Sequence, residues 1–153
     1  MTRTSKLDPI ALHNRVLRRF GEVSAGRYAE LMVAKLLDGE IVNKTGHDIL
    51  TPLGWKIEVK SRVNGTDSEN PRVTLGPTNI REATHVVAVR FTRGYSIHAV
   101  KLLPMSAVEP LYQARKQAKG TAHIPFNDFF NHPEAECLLS RTHSLLTGRR
   151  LRG

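Results

Sequence analysis

Two carboxylates and an amine are predicted to meet where a turn joins two short strands. Asp48 lies on the first strand, and Glu58 and Lys60 lie two residues apart on the second. The turn is Thr51-Pro52-Leu53-Gly54, whose proline and glycine are typical of tight returns. Because side chains alternate faces along a strand, Glu58 and Lys60 share a face. An antiparallel return brings Asp48 alongside them.

Paired acids beside an ammonium are the arrangement needed to hold a divalent metal and to activate a water. Asp48 and Glu58 offer hard oxygen ligands suited to Mg²⁺, and the backbone carbonyl of Val59 is a further candidate ligand. Lys60 is predicted either to orient or deprotonate the attacking water, or to stabilise charge on a phosphate. The sequence therefore predicts hydrolysis through a metal-activated water, with Mg²⁺ as cofactor and Mn²⁺ as a substitute.

A plainer interpretation of the same residues stays open. A solvent-facing strand with an ion pair also carries an acid and a lysine on one face, opposite an apolar face such as Ile57 and Val59. His47 and His85 are interpreted as structural residues rather than ligands.

The composition predicts one globular domain with a basic surface. The chain has 153 residues, 40% of them hydrophobic, which is enough to bury a core, and its net charge of +9 favours polyanions such as nucleic acid. The single Cys137 excludes an internal disulfide and is interpreted as a small buried residue. No apolar run approaches the length of a membrane span, and no secretory signal is apparent. We therefore expect a cytoplasmic protein without a membrane partner.

The predicted elements describe an α/β fold in which a central mixed five-stranded sheet is flanked by helices. A first helix begins at Asp8-Pro9, and a second helix runs from about Ser24 to Leu37. The five predicted strands are 40–42, 46–50, 55–61, 84–91 and 95–102, and 72–75 is a brief extension of the sheet. Helical turns are predicted over 77–83, and an exposed polar loop over 63–71.

The C-terminal part is predicted to be less regular. The pattern Ser106-Ala107-Val108-Glu109 resembles a capping box and predicts a helix towards Lys119, with Leu111 facing inward. Residues from Thr121 onward are predicted to be irregular, with Ile124, Phe126 and two further phenylalanines as apolar anchors. The tail 141–153 carries four arginines and is predicted to be ordered only by a partner.

Asp48, nine intervening residues and Glu58-Val59-Lys60 resemble the PD-(D/E)XK, or restriction-endonuclease-like, nuclease superfamily. The superfamily core of helix, three strands, helix and strand is similar to the predicted order, and the resemblance covers most of residues 24–103. The stretches 46–61, 86–89 and 95–100 also resemble the small PvuII-type restriction enzymes. His47 stands where the family name has proline, and no segment rich in histidine and asparagine follows Lys60.

The resemblance adds one candidate metal ligand. Resolvase-like members of the superfamily place a further acid on the helix before the sheet, and Glu30 occupies that position here. The alternative is a solvated helix residue that pairs with Arg27 or Lys35.

Several residues around the hairpin are candidate DNA contacts. Phosphate contacts are predicted for Arg62, Arg72, Arg81 and the terminal arginines, and base contacts for Asn64 and Asn79. Each of these side chains is alternatively an ordinary surface residue.

Together these features predict a single nuclease domain over 1–153, a Mg²⁺-dependent DNA endonuclease of restriction type or of structure-specific, resolvase-like type. Cutting both strands of a duplex needs two sites, so a homodimer is expected, with the helix in 1–22 as its contact. Residues 24–103 form the predicted catalytic core, followed by 104–140 and the basic tail. The alternatives are a catalytically inactive DNA-binding module on the same fold and a basic RNA- or ribosome-associated protein.

Overall fold

The computed structural model describes residues 25–64, 70–92 and 96–139. Within these ranges the chain forms an α/β arrangement of helices and strands. The first elements are helix α1 (Ala25–Leu36) and strands β1 (Glu40–Lys44), β2 (His47–Leu50) and β3 (Lys56–Val63). There follow strand β4 (Arg72–Leu75), helix α2 (Pro77–Glu82), strand β5 (His85–Phe91) and strand β6 (Ile97–Pro104). The last are helix α3 (Met105–Arg115), strand β7 (Ala122–Pro125), helix α4 (Phe126–Phe130) and strand β8 (Glu136–Cys137).

A mixed sheet of six strands in the order β1-β2-β3-β5-β6-β8 forms the centre of the described structure. Strands β3 and β5 are parallel, and the other neighbours are antiparallel. The predicted mixed sheet flanked by helices is confirmed, but the predicted number of five strands is wrong. The sixth strand, β8, has two residues and therefore no periodic pattern that a sequence can show.

Apolar side chains cover both faces of this sheet. One face packs against α1, whose fully buried residues Ala29, Met32 and Val33 follow helical spacing. The opposite face packs against α3, α4 and a small sheet formed by β4 and β7. Strand β5 lies between these two cores and carries a nearly continuous apolar run because both of its faces are buried. The predicted central strand and its antiparallel partner β6 are confirmed.

The hairpin predicted from the sequence is present. Strands β2 and β3 pair in antiparallel fashion, and the turn between them is closed by hydrogen bonds near its ends. The Gly54 amide donates to the Thr51 carbonyl at 2.9 Å, and the Thr51 amide donates to the Trp55 carbonyl at 3.0 Å. The helix predicted over 24–37 and the short helix predicted over 77–83 are also present, as α1 and α2.

Two predictions about β4 and its neighbourhood are wrong. Strand β4 was expected to extend the main sheet, but it pairs with β7 in the separate small sheet, in the register Val73 to Ile124. The region after Thr121 was expected to be irregular, but it forms β7 and α4. This pairing joins segments about fifty residues apart in the sequence, and local patterns carry no information about such partners. The predicted anchor Phe126 is fully buried.

The start and end of α3 also differ from the prediction. The helix begins at Met105, after Pro104, without a side-chain cap, so Ser106 lies in its first turn and the predicted capping box is absent. It ends at Arg115 rather than near Lys119. The polar loop begins later than predicted, because β3 continues through residue 63 and residue 64 is buried.

Other predictions lie outside the described residues. These are the first helix with its dimer contact, the basic tail 141–153 and the loop residues 65–69.

Gly46, between β1 and β2, packs directly against α2. A Cβ atom at Gly46 would lie 2.6 Å from the Cβ of Glu82 and 2.9 Å from the carbonyl oxygen of Thr78, and its φ is +90°. We expect Gly46→Ala to lower the free energy of unfolding by about 2–4 kcal/mol, because it combines overpacking with left-handed strain. Chemical denaturation of the purified variant measures this loss.

Gly54 supplies the matched control. Its φ is +85°, but a Cβ atom there would meet nothing within 4 Å. We expect Gly54→Ala to cost only about 1 kcal/mol, the strain of a left-handed residue. Equal losses for the two variants would contradict close packing of α2 on Gly46.

Candidate functional site

Asp48 lies where strands β2 and β3 separate. The paired residues of the two strands are Ile49 with Ile57 and Leu50 with Lys56, both close to the turn. On the side of Ile49 away from the turn, a side chain takes the place of the backbone hydrogen bonds between the strands. There Oδ2 of Asp48 accepts a hydrogen bond from the Val59 amide at 3.0 Å. The N–H and C=O groups of one strand residue point to the same side, so the carbonyl of Val59 faces the same gap as Asp48.

A β-bulge in β1 lies opposite Asp48. Ile41 pairs with Ile49, but Lys44 pairs with His47, so β1 contains one residue more than β2 between these pairs. Asn43, inside this irregular stretch, has a φ of +46°. Bulges of this kind turn side chains away from their regular direction and are frequent beside active sites.

Glu58 and Lys60 form an ion pair on β3. Glu58 Oε2 lies 3.1 Å from Lys60 Nζ, and Glu58 is only 7% exposed, whereas the Lys60 side chain keeps 28% of its surface exposed. Burial first, and the neighbouring Asp48 carboxylate second, raise the pKa of Glu58, while Lys60 lowers it. The net direction of the pKa is upward, so the contact with Lys60 does not offset the combined effect of burial and of the Asp48 carboxylate.

Glu30 on α1 is electrostatically coupled to the same acids. Burial and then the charge of Asp48 raise the pKa of Glu30, whereas Arg27 lowers it. Arg27 Nη1 lies 3.4 Å from Glu30 Oε1. Pairing with Arg27 is one of the two ion pairs that were expected if Glu30 does not bind a metal. Asp48 and Glu30 both raise the pKa of Glu58, so the three carboxylates lie within electrostatic reach of one another.

The described residues offer only a small number of side chains that could bind a metal ion at this site. Among the described residues, no three side chains of histidine, cysteine, aspartate or glutamate are grouped so as to hold a metal ion. A pair of carboxylates with a backbone carbonyl nevertheless fits Mg²⁺, which keeps several waters and takes one or two protein carboxylates. The upward pKa of Glu58 supports this fit, because a bound cation would compensate its charge. The arrangement does not fit a metal that requires four protein ligands.

The two histidines near the hairpin, predicted from the sequence to be structural residues, have different surroundings. His47 is buried, and its Nδ1 has no hydrogen-bond partner among the described residues. Burial, followed by the charges of Lys56 and Lys44, lowers the pKa of His47, against smaller opposite effects of two acids. His85 stacks on Trp55 with ring centroids 4.1 Å apart, and burial lowers its pKa.

The predicted phosphate contacts within the described residues are three exposed arginines, and the terminal arginines lie outside these residues. Arg62 lies two residues beyond Lys60 on β3, and its Nη1 donates to the Ser61 carbonyl at 3.0 Å. Arg81 Nε lies 3.4 Å from Glu82 Oε2 on α2. Arg72 begins β4. Arg62 therefore shares β3 with Glu58, whereas Arg72 and Arg81 lie on other elements.

The two predicted base contacts are engaged inside the protein. Asn79 Oδ1 accepts from the Gly76 amide at 2.9 Å, and its Nδ2 donates to the Gly46 carbonyl at 3.5 Å, so its amide ties α2 to the turn before β2. Asn64 was expected in an exposed loop, but it is 5% exposed, and its Oδ1 accepts from Arg90 Nε at 3.1 Å. Sequence reasoning missed Arg90 because it occurs at the end of an apolar strand run.

The sequence matches no protein-family model and no curated protein. Within the described ranges, none of the helices has the length and apolar character needed to cross a bilayer.

Proposed function

We propose that the protein is a Mg²⁺-dependent DNA endonuclease of the PD-(D/E)XK type. The observation that carries the proposal is that Asp48 lies beside the buried Glu58 and its partly exposed partner Lys60, at the gap between β2 and β3. An acid that is buried beside a second carboxylate is costly to the fold even when a lysine pairs with it. Such a cost is typical of functional sites.

The order of elements supports this proposal. Apart from β4, which lies between β3 and α2, the order is helix α1, strands β1, β2 and β3, helix α2 and strand β5, as in the core that the resemblance implies. The first three strands form an antiparallel meander, and β5 lies parallel to β3 after the short helix. The acids occupy the second and third strands of this meander.

Asp48 and Glu58 would hold the metal, with the Val59 carbonyl as a third oxygen. When bound, Mg²⁺ supplies a Lewis acid that lowers the pKa of a water and offsets charge on the phosphate. The Val59 amide fixes one oxygen of Asp48, which leaves the second oxygen of that carboxylate for another partner. Burial keeps bulk water from Glu58 and strengthens its electrostatic interactions.

Lys60 is the second chemical group of the proposed site. Its ammonium contacts Glu58 and remains partly exposed, so it is accessible to a phosphate at the surface. In this position Lys60 stabilises negative charge that develops on the phosphate, or moves a proton from the attacking water. The net charge of +9 favours association with DNA. A homodimer with two such sites would cut both strands of a duplex.

Incubation with two DNA substrates tests the proposal. Supercoiled plasmid and a branched DNA are each treated with the protein in Mg²⁺, in Mn²⁺ and in EDTA. We expect cleavage in either metal and none in EDTA. Discrete plasmid fragments indicate a restriction-type enzyme, and cleavage confined to the branched DNA indicates a resolvase-like one. Intact DNA in both metals would favour the inactive DNA-binding module instead.

A further inference from the structure

An open groove lies beside the candidate site, between the β1–β2 turn and α2. Its volume is about 670 Å³. Residues from β1, the β1–β2 turn, β2, β3 and α2 line it, among them Asn43, Lys44, Thr45, Leu50, Lys56 and Glu82. The volume is in the range of sites that take small organic ligands, and a DNA duplex is far too large to enter it.

The groove combines positive charge with an apolar surface. Lys44 and Lys56 are exposed, and the acid on the α2 wall, Glu82, is paired with Arg81 at 3.4 Å. Leu50 is 40% exposed in the groove, and Leu53 at the tip of the hairpin is 60% exposed. Among the described residues these two are the exposed large hydrophobic side chains. Positive charge along a groove binds the phosphates of a single strand, and an exposed leucine offers an apolar contact for an unpaired base.

The groove lies next to the candidate site along two strands, although Asp48, Glu58 and Lys60 do not themselves line it. Lys56 and Glu58 are alternate residues of β3, so their side chains lie on the same face and about 7 Å apart along the strand. Leu50 and Asp48 have the same relation on β2. A nucleic-acid strand that lies over Asp48 and Glu58 therefore enters the groove at the neighbouring residues of β2 and β3. The bulge in β1, opposite Asp48, contains Asn43 and ends at Lys44, and both residues line the groove.

We propose that this groove binds an unpaired nucleic-acid strand, with Lys44 and Lys56 on its phosphates and Leu50 against a base. The consequence for the substrate rests on the proposed nuclease function. The DNA that this protein cuts carries a single-stranded arm next to the scissile bond, as flapped and branched DNA do.

Fluorescence anisotropy in EDTA tests the groove without cleavage. The probes are a labelled duplex that carries a single-stranded thymine arm and the same duplex with blunt ends. We expect the wild type to bind the armed duplex at least about five-fold more tightly. The double variant Lys44→Ala/Lys56→Ala should lose about ten-fold in affinity for the armed duplex and less than about two-fold for the blunt one. Its slope of log affinity against log salt should fall by about 1.4, or 0.7 for each lost contact to a single strand.

Lys119→Ala is the matched control, because Lys119 is exposed but lies in the turn after α3, outside the groove. It should leave both affinities unchanged. Equal binding of the two probes by the wild type, or the same loss in Lys119→Ala as in the double variant, would overturn the proposal.

The test separates the groove from the nuclease. Preference for the arm through Lys44 and Lys56, without any cleavage in Mg²⁺, would support the groove and contradict the proposed activity. Cleavage of plasmid without preference for the arm would contradict the groove alone.

Discussion

Replacing Lys60 with methionine is expected to slow DNA cleavage by about 10²–10⁴-fold, the contribution of a positioned acid–base or charge-stabilising group. Lys60 Nζ lies 3.1 Å from the buried Glu58 carboxylate, which fixes the ammonium beside the two acids. Methionine keeps most of the length of the side chain and removes its charge. The measurement is the single-turnover cleavage rate in saturating Mg²⁺, together with the melting temperature of the variant.

Lys101→Met is the control for this prediction. Lys101 lies on β6 and is half-buried. It is paired with Ala88 of β5, as Lys60 is, so both lysines project from the same face of the sheet. The loss of a lysine from this face should by itself change the rate by less than about three-fold. If Lys101→Met is as slow as Lys60→Met, the pairing of Lys60 with Glu58 has no special role.

Replacing Glu58 with glutamine is expected to stabilise the metal-free protein while abolishing cleavage. Burial, followed by the charge of Asp48, raises the pKa of Glu58 above its value in the unfolded chain. The metal-free protein therefore loses stability as the pH rises from the unfolded pKa to the folded one, and the penalty is complete above both. Glutamine carries no charge and avoids this penalty at neutral pH.

Thermal unfolding in EDTA at several pH values measures the effect. At neutral pH we expect Glu58→Gln to melt about 2–4 °C above the wild type, the shift that about 1 kcal/mol produces in a domain of this size. The difference should vanish at a pH below the unfolded pKa of glutamate. Added Mg²⁺ should raise the melting temperature of the wild type and leave that of the variant unchanged. A destabilised Glu58→Gln would show that the ion pair with Lys60 outweighs the burial of charge.

The parts of the fold that could be predicted are those decided by local patterns. The alternation around Ile57 and Val59 and the turn at 51–54 predict the hairpin, and the apolar run of β5 predicts a strand buried on both faces. What could not be predicted depends on partners distant in sequence. β4 pairs with β7 rather than with the main sheet, and Asn64 is buried because Arg90 satisfies its side chain.

The candidate site was predictable to a similar degree. The spacing of Asp48, Glu58 and Lys60 places them together once the hairpin is recognised. The separation of β2 and β3 at Asp48 was not predictable, because it depends on a bond between the Asp48 side chain and the Val59 amide. The groove could not be predicted either. Lys44, which lines it, lies at the end of a bulge in β1 that no local sequence pattern reveals.

The most direct test of the proposed site is the Mg²⁺-dependent cleavage rate of Asp48→Asn against that of Asp38→Asn. Asp38 is exposed and has a φ of +54°, a conformation that asparagine tolerates well, so its variant makes the same chemical change outside the site. We predict that Asp48→Asn cuts supercoiled or branched DNA at least about 10²-fold more slowly than the wild type, and that Asp38→Asn cuts at the wild-type rate. Equal rates for the two variants, or cleavage by the wild type in EDTA, would contradict a metal-dependent site at Asp48 and Glu58.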